Sequence, residues 1–213
     1  MLKAALFFIM IFLFFSLSAQ KKGFQQGSYI THLGDTMRGY IYLPDSSPSL
    51  KFKKAVTSPD TADVPVEDLK AVVVNNSSYR LWYGTRNITW LDPVELDVMY
   101  PDSFRTESIL LKPVYEGSKY SLYEHKDETD RYFIGYAGIV EELQMTYRKL
   151  SGKEYRDKSL MFNRPKYSVY AIYRLQIIDI LRGNVSEYER DVIEHTEYNQ
   201  QHLKKLIKEM ETW

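Results

Sequence analysis

"ILLKPVYEGSKYSLYEHKDETDRYFIGY", residues 109–136, decides the fold. Its three stretches, ILLKPVYEG, KYSLYEHK and DRYFIGY, are rich in aromatic and branched residues at strand length. Gly117-Ser118 and the acidic run Asp127 to Asp130 separate them. Short apolar runs punctuated by turn residues predict an antiparallel meander. Upstream, SYITHL (28–33) and MRGYIYL (37–43) alternate apolar and polar residues around Gly34-Asp35-Thr36, which predicts a hairpin. LKFKKAV (50–56) reads as a further strand, and Pro65 to Leu69 as one short helical turn. Residues 72–83 read as a second hairpin, and NITWLDPVELDVMY (87–100) as two short extended pieces interrupted by Pro93.

The pattern changes near residue 139. IVEELQMTYRKLSG fits either a helix or a strand, because Val140, Leu143 and Tyr147 suit one period and Leu143, Met145 and Tyr147 the other. KEYRDKSLMFNRP is a connector. Residues 167–182 place Val169, Ile172, Tyr173, Gln176, Ile177, Ile180 and Leu181 on one helical stripe, predicting a nearly buried helix that Gly183 and Asn184 stop. Ser186 and Glu189 then form a capping box for a last helix over about 187–212. Its seven-residue seam is apolar at both ends and polar at Thr196 and Asn199. The expected fold class is therefore α+β: an antiparallel sheet or partly rolled barrel over about 27–136, followed by two C-terminal helices.

The chain opens with Lys3, an apolar run from Ala4 to Leu17, and small residues up to Ala19. That order is a secretory signal peptide. The expected organisation is a signal peptide over 1–19, a β-rich region over 20–150 and a helical region over 151–213, the last two forming one compact domain. Export to the periplasm, outer membrane or medium follows. The membrane is a partner only if the leader is retained, since the run falls short of the roughly 20 apolar residues of a spanning helix.

The 28 basic and 28 acidic residues balance, so no long-range field gathers nucleic acid. Absence of cysteine removes disulfides, thiol nucleophiles and thiolate metal sites. His195 and His202 lie seven residues apart, about 10.5 Å along a helix, too far to share one ion. The turn holding Asp127, Glu128 and Asp130 lacks the glycine and alternating oxygens of a calcium loop. No G-x-S-x-G elbow, phosphate loop or dinucleotide fingerprint occurs, and the S-x-x-K match, Ser18 with Lys21, straddles the leader boundary. These tests supply neither a catalytic residue nor a cofactor motif. A carboxylate pair assembled in space would leave no sequence mark, so a hydrolase stays a second alternative.

The leader ending in Ala19-Gln20, the corner Gly34-Asp35-Thr36 with Gly39-Tyr40-Ile41, the step PVEDLKAVVV, the pattern Gly117, Ser121, Leu122, Tyr123, and Tyr198-Asn199 near the end go together. In these features the chain resembles uncharacterised exported proteins of Bacteroidota that share a GDTxxGYI hairpin. The resemblance implies export and an α+β body, and carries over no reaction. In such proteins Asp-Thr-apolar tripeptides are O-glycosylation acceptors, which makes Thr61 and Thr36 candidates. The leading functional expectation is an exported, non-enzymatic domain binding a protein or envelope component. The alternative is glycan or small-molecule binding on a tyrosine-rich face built from Tyr115, Tyr120, Tyr123 and Tyr132.

Overall fold

The computed structural model describes residues 23–44, 48–87, 104–127, 129–149 and 167–213. The leader, and the extended pieces expected over 88–100, lie outside the described residues. Ten strands form one open antiparallel sheet, confirming the α+β class. They are β1 (Gln25–Thr31), β2 (Thr36–Tyr42), β3 (Ser49–Lys53), β4 (Ala62–Pro65), β5 (Leu69–Val74), β6 (Ser77–Asn87), β7 (Phe104–Glu116), β8 (Tyr120–Lys126), β9 (Asp130–Tyr136) and β10 (Ile139–Leu143). The spatial order is β10-β9-β8-β7-β6-β5-β1-β2-β3-β4. The 3-10 turn Val66–Asp68 carries the chain from the outer strand β4 back to β5, beside β1. The expected meander is thus β7 to β9. The undecided segment after 139 becomes two strands, β10 and the short β11 (Thr146–Lys149).

Turn chemistry matches the hairpins. Asn75 and Asn76 both adopt positive φ (48° and 63°), as do Ala137 and Gly138 (45° and 82°), giving two-residue turns whose twist suits the flanking strands. Gly27 and Gly39 are register partners where strands approach closely. A Cβ at Gly27 would lie 2.4 Å from the Val73 carbonyl oxygen, and one at Gly39 2.3 Å from that of Lys53. Only glycine fits there.

Alternation divides the sheet into two faces. Over β1–β5, Tyr29, Ile41, Leu50, Phe52, Leu69, Val72 and Val74 are buried on one face. On the same face over β8–β10, Leu122, Tyr132, Ile134 and Leu143 pack against the helices. The opposite face curls upon itself between β6 and β10. Trp82 on β6 donates its Nε1–H to the Val140 carbonyl on β10 at 3.0 Å, and its ring meets Phe133 edge-on at 5.2 Å. Strands four places apart in a flat sheet stand roughly 19 Å apart. β6–β10 therefore roll around Ile109, Leu111, Tyr123 and Phe133, without a ladder that closes the roll. The β7–β8 register shifts between Pro113 and Tyr115, an irregularity that suits a proline lacking a ladder donor.

The C-terminal region departs from the expected helices in two ways. The segment expected as a helix from 167 starts as strand β12 (Tyr167–Tyr170), paired with β11. Tyr-Ser-Val-Tyr has strand propensity, and a neighbouring ladder outweighs the periodicity. The helix proper, α1, spans Ile172–Ile180; Tyr173 and Ile177 are buried, but Leu175 is exposed. Its Gln176 takes the place of a further strand beside β10, donating to the Glu142 carbonyl at 2.9 Å and accepting from Gln144 N–H at 2.7 Å. An open edge is thereby covered.

The expected last helix is two helices, so residues 167–213 hold three: α2 (Glu187–His195) and α3 (Gln200–Met210) follow α1. The predicted capping box of Ser186 and Glu189 is present. Thr196 turns extended, its hydroxyl donating to the Val192 carbonyl at 2.8 Å, and Asn199 caps α3 by accepting from His202 N–H at 2.9 Å. The two polar residues of the seam are therefore helix-boundary residues. Among the described residues, no helix is long and apolar enough to cross a membrane.

Candidate functional site

The roll contains a belt of ionised side chains, one from each strand or its adjoining turn. Glu107 (β7) pairs with Arg86 (β6), Arg86 with Asp127 after β8, Asp127 with Arg131 (β9) at 3.1 Å, and Arg131 with Glu142 (β10) at 2.9 Å. Arg86, Arg131 and Glu142 are buried. Burial alone would push the Asp127 carboxyl up, but the bonds from Arg86 and Thr129 N–H, and the Arg131 charge, hold it below the ordinary range. Burial likewise disfavours the charge on Arg86, and its bonds to Asp127 and Glu107 outweigh that effect. The gathered carboxylates face guanidinium groups, an arrangement that ties the β6–β7 ribbon to β9 and β10. His125 faces the same interior. Desolvation, and then the Arg86 charge, lower its pKa, and its buried Nε2 has no hydrogen-bond partner among the described residues.

The four tyrosines singled out from sequence are not brought together on one surface. Tyr123 is buried inside the roll and Tyr132 is buried on the opposite face beneath the helices. There Tyr132, Tyr173 and Tyr198 form a ring cluster. Tyr198 donates its hydroxyl to the Leu143 carbonyl at 2.6 Å and accepts from Tyr132 N–H at 3.3 Å. Burial raises the Tyr198 pKa strongly. Tyr115 and Tyr120 are half-buried against the helical layer, with Lys208 over the Tyr115 ring at 5.7 Å. Thr61 is exposed before β4, and Thr36 is exposed as the first residue of β2.

Beside Tyr120, the β7–β8 turn holds a carboxylate from the chain's end. Glu211 accepts from Ser118 Oγ at 2.7 Å and Tyr120 N–H at 2.8 Å, and its pKa is lowered by those bonds. A Cβ on Gly117 would lie 2.0 Å from the Glu211 Oε1. Among the described residues, no group of three or more His, Asp or Glu has metal-binding geometry.

A surface that the sequence reading passed over lies on the outer face of β1–β3. Register sets Tyr40 between Gln26 and Lys53, Tyr42 beside Lys51, and Arg38 beside Ser28. Phe24 completes it, its ring 6.0 Å from that of Tyr42 and 4.9 Å below the Lys53 ammonium. Lys51 pairs with Asp63 at 3.1 Å, whereas Arg38 is exposed and meets no carboxylate among the described residues. A trough of about 710 Å³ runs over the Gly27–Gly39 backbone, lined by Gln26, Ser28, Arg38, Tyr40, Asn75 and Asn76. The signal was present in the sequence. Alternation in MRGYIYL puts Arg38, Tyr40 and Tyr42 on one side, and SLKFK does the same for Lys51 and Lys53.

The chain matches no family model, no curated protein and no solved structure.

Proposed function

We propose that this chain is an exported, non-enzymatic domain that docks onto a component of the cell envelope through the outer face of β1–β3. The observation that carries the reading is that face itself: three aromatic rings interleaved, among the described residues, with three cations against one carboxylate, on a sheet whose other face is packed. The leader-like order of residues 1–19 supports export. Inside the roll, each gathered carboxylate is engaged by an arginine, which favours a structural over a catalytic use of those groups.

Fractionation of native cells tests this. The chain should begin at Gln20 by intact mass and sediment with the envelope, and Arg38→Ala with Lys53→Ala should release it into the soluble exported fraction. Recovery in the cytoplasm with residues 1–19 attached would refute the reading. We also propose Thr61 as an O-glycan acceptor, supported by its exposure between β3 and β4 within Asp60-Thr61-Ala62. The added mass should vanish in Thr61→Val; an unmodified wild-type mass rejects it.

A further inference from the structure

We infer that the ligand of the β1–β3 face is an acidic polysaccharide, a chain of sugar rings carrying carboxylate groups. This rests on the docking reading above and names the chemistry it would serve.

Three features point to that class. First, Phe24, Tyr40 and Tyr42 are half-buried, so part of each side chain stays accessible, and Phe24 is held against the Tyr42 ring and the Lys53 ammonium. Aromatic faces suit the flat, C–H-lined faces of pyranose rings, and tyrosine adds a hydroxyl at the wet edge. Second, the trough is walled by Gln26, Ser28, Asn75 and Asn76, whose amides and hydroxyl supply donors and acceptors at the spacing of a strand ladder. Such a mixture matches a polyol. Asn75 is already anchored, donating to Gln25 Oε1 at 3.0 Å, which orients the turn at the trough's end.

Third, positive charge is in excess on this face: Asp63 pairs with Lys51, and Arg38 meets no carboxylate among the described residues. Arg38 stands at the trough wall, and Lys53 lies between Tyr40 and Phe24. A guanidinium fork matches a carboxylate in two parallel hydrogen bonds. Arg38 and Tyr40 alternate on one strand, about 7 Å apart by strand rise, so a charged group and a sugar ring could be engaged side by side. The chain as a whole is electrically balanced, so this face acts locally and not through a long-range field. A nucleic acid would be expected to want the broader basic field that the chain lacks.

Calorimetric titration of the full mature chain with polygalacturonate decides the matter, with dextran, single-stranded DNA and phosphatidylglycerol vesicles in parallel. Polygalacturonate should bind, and binding should weaken as salt rises. Arg38→Ala should weaken it about tenfold, the scale of one charge-assisted hydrogen bond, and Tyr40→Ala should weaken it by removing a ring on which the sugar packs. Arg190→Ala, an exposed change on α2, should not. Equal or tighter binding to dextran, DNA or the vesicles overturns the inference, as does no binding to polygalacturonate by a chain with unchanged circular dichroism. If polygalacturonate fails while the Arg38/Lys53 variant still leaves the envelope fraction, the ligand class is wrong and docking stands. If neither responds, both fall.

Discussion

Replacing Arg86 by methionine tests whether the ion belt holds the roll shut. Its side chain is 6% exposed and bonds both Glu107, at 2.5 Å, and Asp127. Methionine fills much of the stem volume but leaves Glu107 without this cation, and leaves Asp127 with Arg131 alone. Breaking a buried pair by deleting one partner costs about 3 to 5 kcal/mol, because the remaining charge is left desolvated. For a chain of this size that lowers Tm by roughly 6 to 20 °C. The assay is urea unfolding followed by tryptophan fluorescence, since Trp82 sits between the ribbon and β9–β10. Arg86→Lys keeps one charge but lacks the fork that spans two carboxylates, and should fall between wild type and methionine. A loss below about 1 kcal/mol, the value typical of an exposed pair, would refute the reasoning: Glu107 and Asp127 would then be solvated and the ribbon not tied down.

Three further outcomes follow from the same geometry. Tyr198→Phe leaves the Leu143 carbonyl and Tyr132 N–H without their hydroxyl partner, and should cost about 1 to 3 kcal/mol in urea unfolding. His125 has a folded-state pKa below its ordinary value, so stability should be full above about pH 6.5, fall as pH drops below that value, and level off at the folded pKa. His125→Asn should flatten that slope. Gly117→Ala should push the Glu211 carboxylate out of its turn, and a carbon-detected NMR titration should show its depressed pKa returning towards the ordinary glutamate value.

The strands were legible because their two-residue period and turn residues are local properties. Gly34-Asp35-Thr36, Asn75-Asn76 and the Asp127 turn each mark a corner that the chain takes. A partly rolled sheet was among the expectations, but which strands roll was not legible. It depends on Trp82 meeting Val140, 58 residues away, and on a belt assembled from five separate segments. The expected long last helix failed at Thr196 and Asn199, whose side chains bond backbone instead of continuing the turn. The site was legible in part. Aromatic richness was noticed in the meander, where burial consumes the rings of Tyr123 and Tyr132. The half-buried rings of Phe24, Tyr40 and Tyr42 lay in and just before the segment read for its alternation and its turn but not for a ligand face, because alternation shows which residues share a face but not which face a core will cover.

Hydrogen exchange of the mature chain with and without polygalacturonate tests the central claim, that the working surface is the outer face of β1–β3, most directly. The account predicts added protection over residues 24–42, 49–53 and 73–76, with the amides of β8 and β9 unchanged. Protection confined to residues 115–136, or none at a concentration that saturates the calorimetric signal, would contradict it.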